Sequence, residues 1–280
     1  MAKQATVSPG GPARAEVKIH HPLMSTPSNS TFPVSRATAV GAGSWRLFSY
    51  ETVTSTNDLA REIPTWSAVR ADSQTEGRGR FGRSFVSDVG GLWLSATLPA
   101  PGQAHRWNGF SLMVGYHLLL ALIKLNVPDA RLRWPNDLMS GRKKLAGLLI
   151  EQGGRQKLTV GIGMNVQNTP WIFDPALAES TTRLADISAT VPSLETLTVS
   201  VLDSLEDAYH AMLAEGLETA IAALDKHWSR CPVEITSTAG EIITGKFLGL
   251  DAAANLRIMT LQGHERCVLH HHVARLKELL

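Results

Sequence analysis

The chain has 280 residues, 44% hydrophobic and 19% charged, an ordinary globular balance with length for about two domains. Lys and Arg total 27 against 25 for Asp and Glu, a net charge of +2, which excludes a protein that coats nucleic acid with its whole surface but leaves room for a local basic patch. Two cysteines, Cys231 and Cys267, exclude a disulfide framework and any C-x-x-C zinc or redox pair, and fit a reducing, cytoplasmic compartment.

Residues 1–43 are rich in Pro, Gly, Ser, Thr and Ala without a period of 3.6 or 2. Such a segment buries too little apolar surface to offset its ordering entropy and reads as a flexible tail. Patterning begins at Trp45. Trp45 to Val53 reads as a strand, and Ser55-Thr56-Asn57-Asp58 offers N-cap side chains to a helix that ends before Pro64. Ala68 to Ser73 is a second strand, running into a glycine-rich loop, Gly77 to Arg83. Gly91 to Leu98 is a third. Trp107 to Leu125 is expected to be a buried helix: its apolar run is too short to span a bilayer comfortably and carries His117 and Lys124. Ala130 to Trp134, Lys144 to Gln152 and Leu158 to Asn165 read as strands, and Leu194 to Ala214 and Leu217 to Trp228 as core-packing helices. From Cys231 the texture changes to short strands, Val233 to Thr236, Glu241 to Gly249, Leu256 to Leu261 and Glu265 to Leu269, separated by turns. That pattern is a small all-β barrel, which at about 50 residues needs a larger domain to dock on. His270-His271-His272 is expected on a polar strand end, with His270 and His272 sharing a face.

Four motifs carry chemistry. In Gln74-Thr75-Glu76-Gly77-Arg78-Gly79-Arg80-Phe81-Gly82-Arg83, the glycines free the backbone and the arginines supply forked donors for phosphate or carboxylate. A solvated turn or an RNA-binding arginine-glycine loop explains the same residues. Arg133-Trp134-Pro135-Asn136-Asp137 places an amide and a carboxylate at a strand's mouth, with Lys144 opening the next strand beside them; it is equally good β-turn chemistry. Ser55-Thr56-Asn57 caps a helix and can still face a ligand. Gly161-Ile162-Gly163-Met164-Asn165 allows close approach of a ligand.

In this order the motifs resemble those of the biotin protein ligases, over about residues 45–275. The resemblance implies an α+β fold: a mixed β-sheet catalytic domain packed with helices, of the class II aminoacyl-tRNA synthetase and biotin ligase kind, at residues 44–229, and a small C-terminal SH3-like β-barrel at 230–280. It implies that biotin is activated with ATP to biotinyl-5′-AMP and passed to a lysine of a biotin carboxyl carrier protein, without an enzyme nucleophile. By resemblance, biotin is bound by Ser55, Thr56, Asn57, Gln74, Arg78, Gly79, Arg80 and Lys144. The nucleotide is bound by Gly77, Arg83, Phe85, Arg133, Asn136, Asp137 and Asn165. Arg78, Arg80, Lys144 and Asp137 act in catalysis, with Asp137 also a ligand for Mg²⁺. The arginines and Lys144 suit this chemistry, because a carboxylate and a triphosphate repel each other and need positive charge to meet.

The family usually has Trp where Phe85 stands and Lys where Arg133 stands. Both changes bear on nucleotide affinity, since an aromatic face survives without its indole N–H and the charge survives with a different geometry. Some members carry an N-terminal DNA-binding domain. The first 43 residues lack three periodic helices, so no specific DNA and no membrane partner are expected. Edge strands of the catalytic sheet offer faces for a homodimer or for strand addition by the carrier. Two rivals are a lipoate- or octanoate-transferring enzyme of related fold and a non-catalytic arginine-glycine-loop module for single-stranded nucleic acid.

Overall fold

The computed structural model describes residues 38–40, 45–153, 156–227 and 232–279, all within one compact unit, Ser35–Leu280. An eight-stranded mixed sheet comprises β1 (Thr38–Val40), β2 (Trp45–Val53), β3 (Ser67–Gln74), β4 (Leu92–Pro99), β5 (Ala130–Arg133), β6 (Asp137–Ser140), β7 (Lys143–Gly153) and β8 (Lys157–Met164), in the order β1-β2-β3-β4-β8-β7-β6-β5. The parallel pair is β2 with β3, and α1 (Thr56–Glu62) supplies the crossover such a pair requires. The other neighbours run antiparallel.

Alternation along the central strands separates a core face from a site face. Leu92, Leu94, Ala96 and Leu98 of β4, with Leu158, Val160, Ile162 and Met164 of β8, are buried in the hydrophobic core. That core also takes the apolar stripes of α2 (Phe110–Lys124) and α4 (Leu194–Ala214). A Cβ on Gly115 of α2 would stand 2.7 Å from Leu132 Cδ1, so glycine lets the helix approach the sheet closely. The opposite face of the same strands carries Ser95, Thr97, Thr159, Gly161 and Gly163. There α1 packs, with Thr97 Oγ1 donating to the carbonyl of Ala60 at 2.6 Å. The short α3 (Leu184–Ile187) and α5 (Glu218–His227) complete the helices.

A five-stranded antiparallel sheet follows: β9 (Pro232–Ser237), β10 (Ile242–Leu250), β11 (Leu256–Thr260), β12 (Glu265–Val268) and β13 (Val273–Glu278), in the order β12-β11-β10-β9-β13. It is an SH3-like arrangement left open, since no pairing joins β12 to β13 among the described residues. Both sheets share one core, because Val233, Ile235, Phe247, Leu256 and Ile258 belong to the same buried cluster as the strands above. Polar contacts add to it. Trp134 Nε1 donates to the carbonyl of Ala254 at 2.9 Å, and Arg131 makes two parallel bonds to Glu278, at 2.8 and 2.6 Å.

Several expectations change. Thr38–Val40, placed by composition in the tail, pairs with β2 as an edge strand; residues 1–37, 41–44 and Cys231 lie outside the described residues. The long helix begins at Phe110, because Gly109 takes φ +78° and Trp107 sits in a preceding 3₁₀ turn. His270–His272 form a 3₁₀ turn and not a strand end, since the chain reverses there to bring β13 beside β9. β6 and β13 have no counterpart in the sequence reading: four residues are too few for a period to show, and β13 alternates with charged residues. Among the described residues no helix is long and apolar enough to cross a membrane.

The Arg131–Glu278 pair joins the two sheets, and the Glu278 side chain is only 8% exposed. Arg131→Ala leaves that largely buried carboxylate without its Arg131 partner. Urea denaturation is expected to show a loss of about 1–3 kcal/mol, with Arg131→Ala/Glu278→Ala less destabilised than the sum of its two single variants.

Candidate active site

A cleft of about 640 Å³ opens between the site face of the large sheet, the glycine-arginine loop and β13. Every residue assigned a binding or catalytic role by the resemblance lines it except Gly77. Gly77 lies behind the wall, where its missing Cβ leaves room for the Phe85 carbonyl and the Ser87 hydroxyl, each 2.4 Å from the position a Cβ would take.

Ser55, Thr56 and Asn57 are buried at the start of α1. They do not cap the helix with their side chains; Ser55 stands at the N-cap position with no such bond. The Thr56 N–H donates instead to Gln74 Oε1, at 2.8 Å. The Thr56 hydroxyl lies 3.0 Å from Gln74 Oε1 and 2.7 Å from Ser95 Oγ. Ser95 Oγ donates to Asn57 Oδ1 at 2.6 Å, and Asn57 Nδ2 donates to Glu151 Oε2 at 2.8 Å. This orients amide and hydroxyl groups around the neutral part of the cleft, an arrangement able to meet a ligand rich in both donors and acceptors. The Gly161 and Gly163 faces admit side chains: a Cβ there would stand 2.3 Å from Asn57 Oδ1 and 2.8 Å from Phe85 Cε1. The G-x-G pattern therefore seats the protein's own Asn57 and Phe85.

The loop is folded on itself. Gly79 N–H donates to the Arg83 carbonyl at 2.7 Å and Phe85 N–H to that of Gly77 at 2.8 Å. Phe81, at φ 59° and ψ 31°, turns the chain in the left-handed region. Arg78 reaches back to Asp58 of α1 with two bonds, 2.7 and 2.6 Å. That hydrogen-bonded pairing lowers the carboxyl pKa of Asp58 and raises the guanidinium pKa of Arg78. Arg80 bonds to Asn136 Oδ1 at 3.3 Å and to the His270 carbonyl at 2.5 Å. Burial, then the neighbouring Arg83, lowers its pKa. Arg83 bonds to the carbonyl of Ala274 in β13.

Trp134, Pro135 and Asn136 are the turn of the β5–β6 hairpin, with Arg133 paired to Asp137 across it. The turn reading and the site reading are thus both satisfied by the same residues. Asp137 receives Lys144 Nζ on one oxygen and Arg133 on the other, each at 2.7 Å. Burial alone would raise the Asp137 pKa, but Lys144 and then Arg133 outweigh it and hold the carboxyl below its ordinary range. The Lys144 ammonium lies 5.5 Å from the centre of the Phe85 ring, which itself packs edge-on to Trp93. Buried Asn165 donates to the Thr182 carbonyl at 3.2 Å and accepts from Asn168 at 3.0 Å.

The expected Mg²⁺ ligand Asp137 is engaged by Arg133 and Lys144 in this structure. Both its oxygens carry cationic partners, and no cluster of three His, Cys, Asp or Glu side chains suited to a metal occurs among the described residues. The sequence reading also missed Arg142, the Asp174–Thr181 segment and β13, which line the same cleft. Thr181 bridges to Lys144. None of these carries a motif; only the fold brings them in.

Residues 48–167 match the model of the biotin/lipoate A/B protein ligase family. The mycobacterial biotin--[acetyl-CoA-carboxylase] ligase of Mycobacterium tuberculosis is 32% identical over 60% of this chain and 66% of that protein. The biotin protein ligase of Aquifex aeolicus, solved with biotin and ATP, superposes with a TM-score of 0.74 and 26% identity over 83% of this chain and 99% of that one. The chain belongs to the biotin/lipoate A/B protein ligase family. A further relative in the family's orbit is the bifunctional ligase/repressor BirA of Bacillus subtilis, 26% identical over 78% of this chain and 70% of that protein. The chain spans about two thirds of the length of these two curated relatives.

Two predictions follow from the geometry. Gly161→Ala pushes Asn57 out of its network and is expected to cost about 1–3 kcal/mol in urea unfolding. Gly153→Ala, where the nearest atom lies 3.9 Å away, serves as the tolerated control. The Asp137 pairing stabilises the fold above the ordinary carboxyl pKa of about 3.9 and is lost as pH falls through the depressed folded value. Asp137→Asn is therefore less stable than wild type at pH 7, and the two unfolding free energies converge only as pH falls below the depressed folded value of Asp137.

Proposed function

We propose that this family member is a biotin protein ligase, which joins biotin to ATP and transfers it to a lysine of a biotin carboxyl carrier protein. The observation that carries this reading is the meeting of two kinds of group in one cleft. A neutral set, Ser55, Thr56, Asn57 and Gln74, suits a ureido ring; a cationic set, Arg78, Arg80, Arg83, Arg133 and Lys144, suits a carboxylate brought against phosphate. In the first step a biotin carboxylate oxygen bonds to the α-phosphorus of ATP and the bond to the β-phosphate breaks, releasing pyrophosphate. In the second, the carrier lysine's amine bonds to the acyl carbon, the C–O bond to phosphate breaks, AMP leaves and the amine sheds a proton. Arg78, Arg80 and Lys144 position the carboxylate and stabilise the charge that gathers on the non-bridging oxygens. Asp137 acts through Lys144 and Arg133 by fixing where their charges sit. Arg83, Asn136, Asn165 and Phe85 serve the nucleotide side, and Mg²⁺ is assigned to the nucleotide's phosphates.

The family also contains lipoate enzymes, whose substrate likewise ends in a carboxylate. A dithiolane ring has no N–H or C=O to match the Gln74–Thr56–Ser95–Asn57 network, which favours biotin. The nucleic-acid reading is disfavoured because the loop arginines are tied inward, to Asp58, His270 and Ala274.

Biotin-dependent exchange between pyrophosphate and ATP tests the assignment. Wild type is expected to exchange with biotin, and Lys144→Ala or Arg80→Ala to lower the rate by about 10²–10³-fold. Mass spectrometry of a carboxyl carrier domain then reads the second step as one added biotinyl group. Exchange with lipoate and not biotin would select the rival substrate.

A further inference from the structure

Three residues that touch the cleft's fittings without lining the cleft stand in one chain of contacts. Asp58 on α1 holds Arg78 through both carboxylate oxygens. Arg61, one turn along α1, bonds to Asp58 Oδ1 at 3.1 Å and to Glu151 Oε1 at 2.6 Å. Glu151, on β7, uses its other oxygen to accept from Asn57 Nδ2 at 2.8 Å. The chain of contacts therefore runs from Ser95 and Asn57, at the neutral part of the site, through Glu151, Arg61 and Asp58, to Arg78 in the glycine-arginine loop. None of Asp58, Arg61 and Glu151 is among the cleft-lining residues.

Each link has a physical reason to matter. Arg78 lies between two glycines, and an unpaired arginine side chain has about 2 kcal/mol of rotamer entropy to lose on being fixed. A bidentate carboxylate on a helix removes that freedom before substrate arrives. The guanidinium has five N–H donors; two go to Asp58, and three are left for a ligand oxygen. Asp58 is itself kept ionised by this pair, its pKa lying below the usual range. Asn57 has the complementary need. Its amide can present either end to a ligand, and Glu151 on Nδ2 with Ser95 on Oδ1 fixes which atom points where.

We propose that Asp58 and Glu151 are positioning residues, which through Arg61 brace the arginine of the carboxylate site and the amide of the neutral site as one rigid unit. Asp58 acts through Arg78 and Glu151 through Asn57, and neither touches the reacting atoms. This rests on the ligase reading above. Its consequence is that carboxylate affinity and neutral-group affinity are coupled through residues outside the cleft.

The test uses the full chain and biotin itself. Asp58→Asn keeps size but loses the charge; Asp58→Glu keeps the charge. The expected result is a fall in kcat/KM for biotin in pyrophosphate–ATP exchange of about 10- to 100-fold for Asp58→Asn. Asp58→Glu should recover part of it, and KM for ATP should change by less than threefold or so. Because Asp58 acts through Arg78, adding Asp58→Asn to Arg78→Ala should cost nothing further. Full additivity of the two losses, or unchanged biotin kinetics in Asp58→Asn, overturns the proposal. Arginine side-chain NMR supplies a readout independent of activity: slow rotation of the Arg78 guanidinium in wild type, fast rotation in Asp58→Asn. Equal rotation in both overturns the brace even if exchange is absent. Absence of biotin-dependent exchange in wild type, with slow Arg78 rotation, instead overturns the ligase reading and leaves the brace standing.

Discussion

Arg78, Arg80, Arg83, Arg133 and Lys144 face one cleft, and their mutual repulsion is the constraint around which the rest is arranged. Two unit charges about 4 Å apart interact by roughly 4 kcal/mol at the effective dielectric near a protein surface. Each cation is accordingly given an acceptor. Arg78 has Asp58, Arg133 and Lys144 share Asp137, and Arg80 and Arg83 take backbone carbonyls at His270 and Ala274. Those acceptors come from α1, the β5–β6 hairpin and the C-terminal sheet. The charge cluster therefore needs both sheets in place, and this gives the small C-terminal sheet a role beside its share of the core.

The second arrangement is the division of the large sheet into two faces. Period-2 alternation sends Leu94, Ala96, Val160 and Ile162 to the core and Ser95, Gly161 and Gly163 to the cleft. Stability is drawn from one face while the other holds polar groups and small residues. The glycines on the site face are occupied by Asn57 and Phe85, so two loop and helix side chains become part of the sheet surface. Phe85 then offers its ring to Lys144. The departure from the family's usual Trp at this position thus sits beside the lysine, not at the solvent edge.

Much of the framework was legible in the sequence. Trp45–Val53 and Leu194–Ala214 were read with the bounds they have, because a nine-residue strand and a 21-residue helix each repeat their period enough times to be recognised. The cleft residues of the glycine-arginine loop, the β5–β6 turn and the start of α1 were legible as motifs, since Gly, Arg, Asn and Pro cluster where backbone conformation and charge are both demanding. β1, β6 and β13 were not, as three to six residues show too little period and their pairing depends on partners distant in the chain. The His270–His272 strand end failed for a related reason: a chain reversal set by β9 pairing outweighs local propensity.

By itself the sequence determined which chemical groups the site owns: three arginines spaced by glycines, a turn bearing Asn136 and Asp137, a lysine opening a strand, and a neutral Ser-Thr-Asn run. These are local matters, settled by residue type and by spacing of a few positions. Tertiary structure decided what each group is tied to. Asp58 to Arg78, Asn57 to Glu151, and Arg83 to Ala274 lie 20, 94 and 191 positions apart. No periodicity spans such distances, and only the packing of α1, β7 and β13 around one cleft brings those atoms within hydrogen-bonding range.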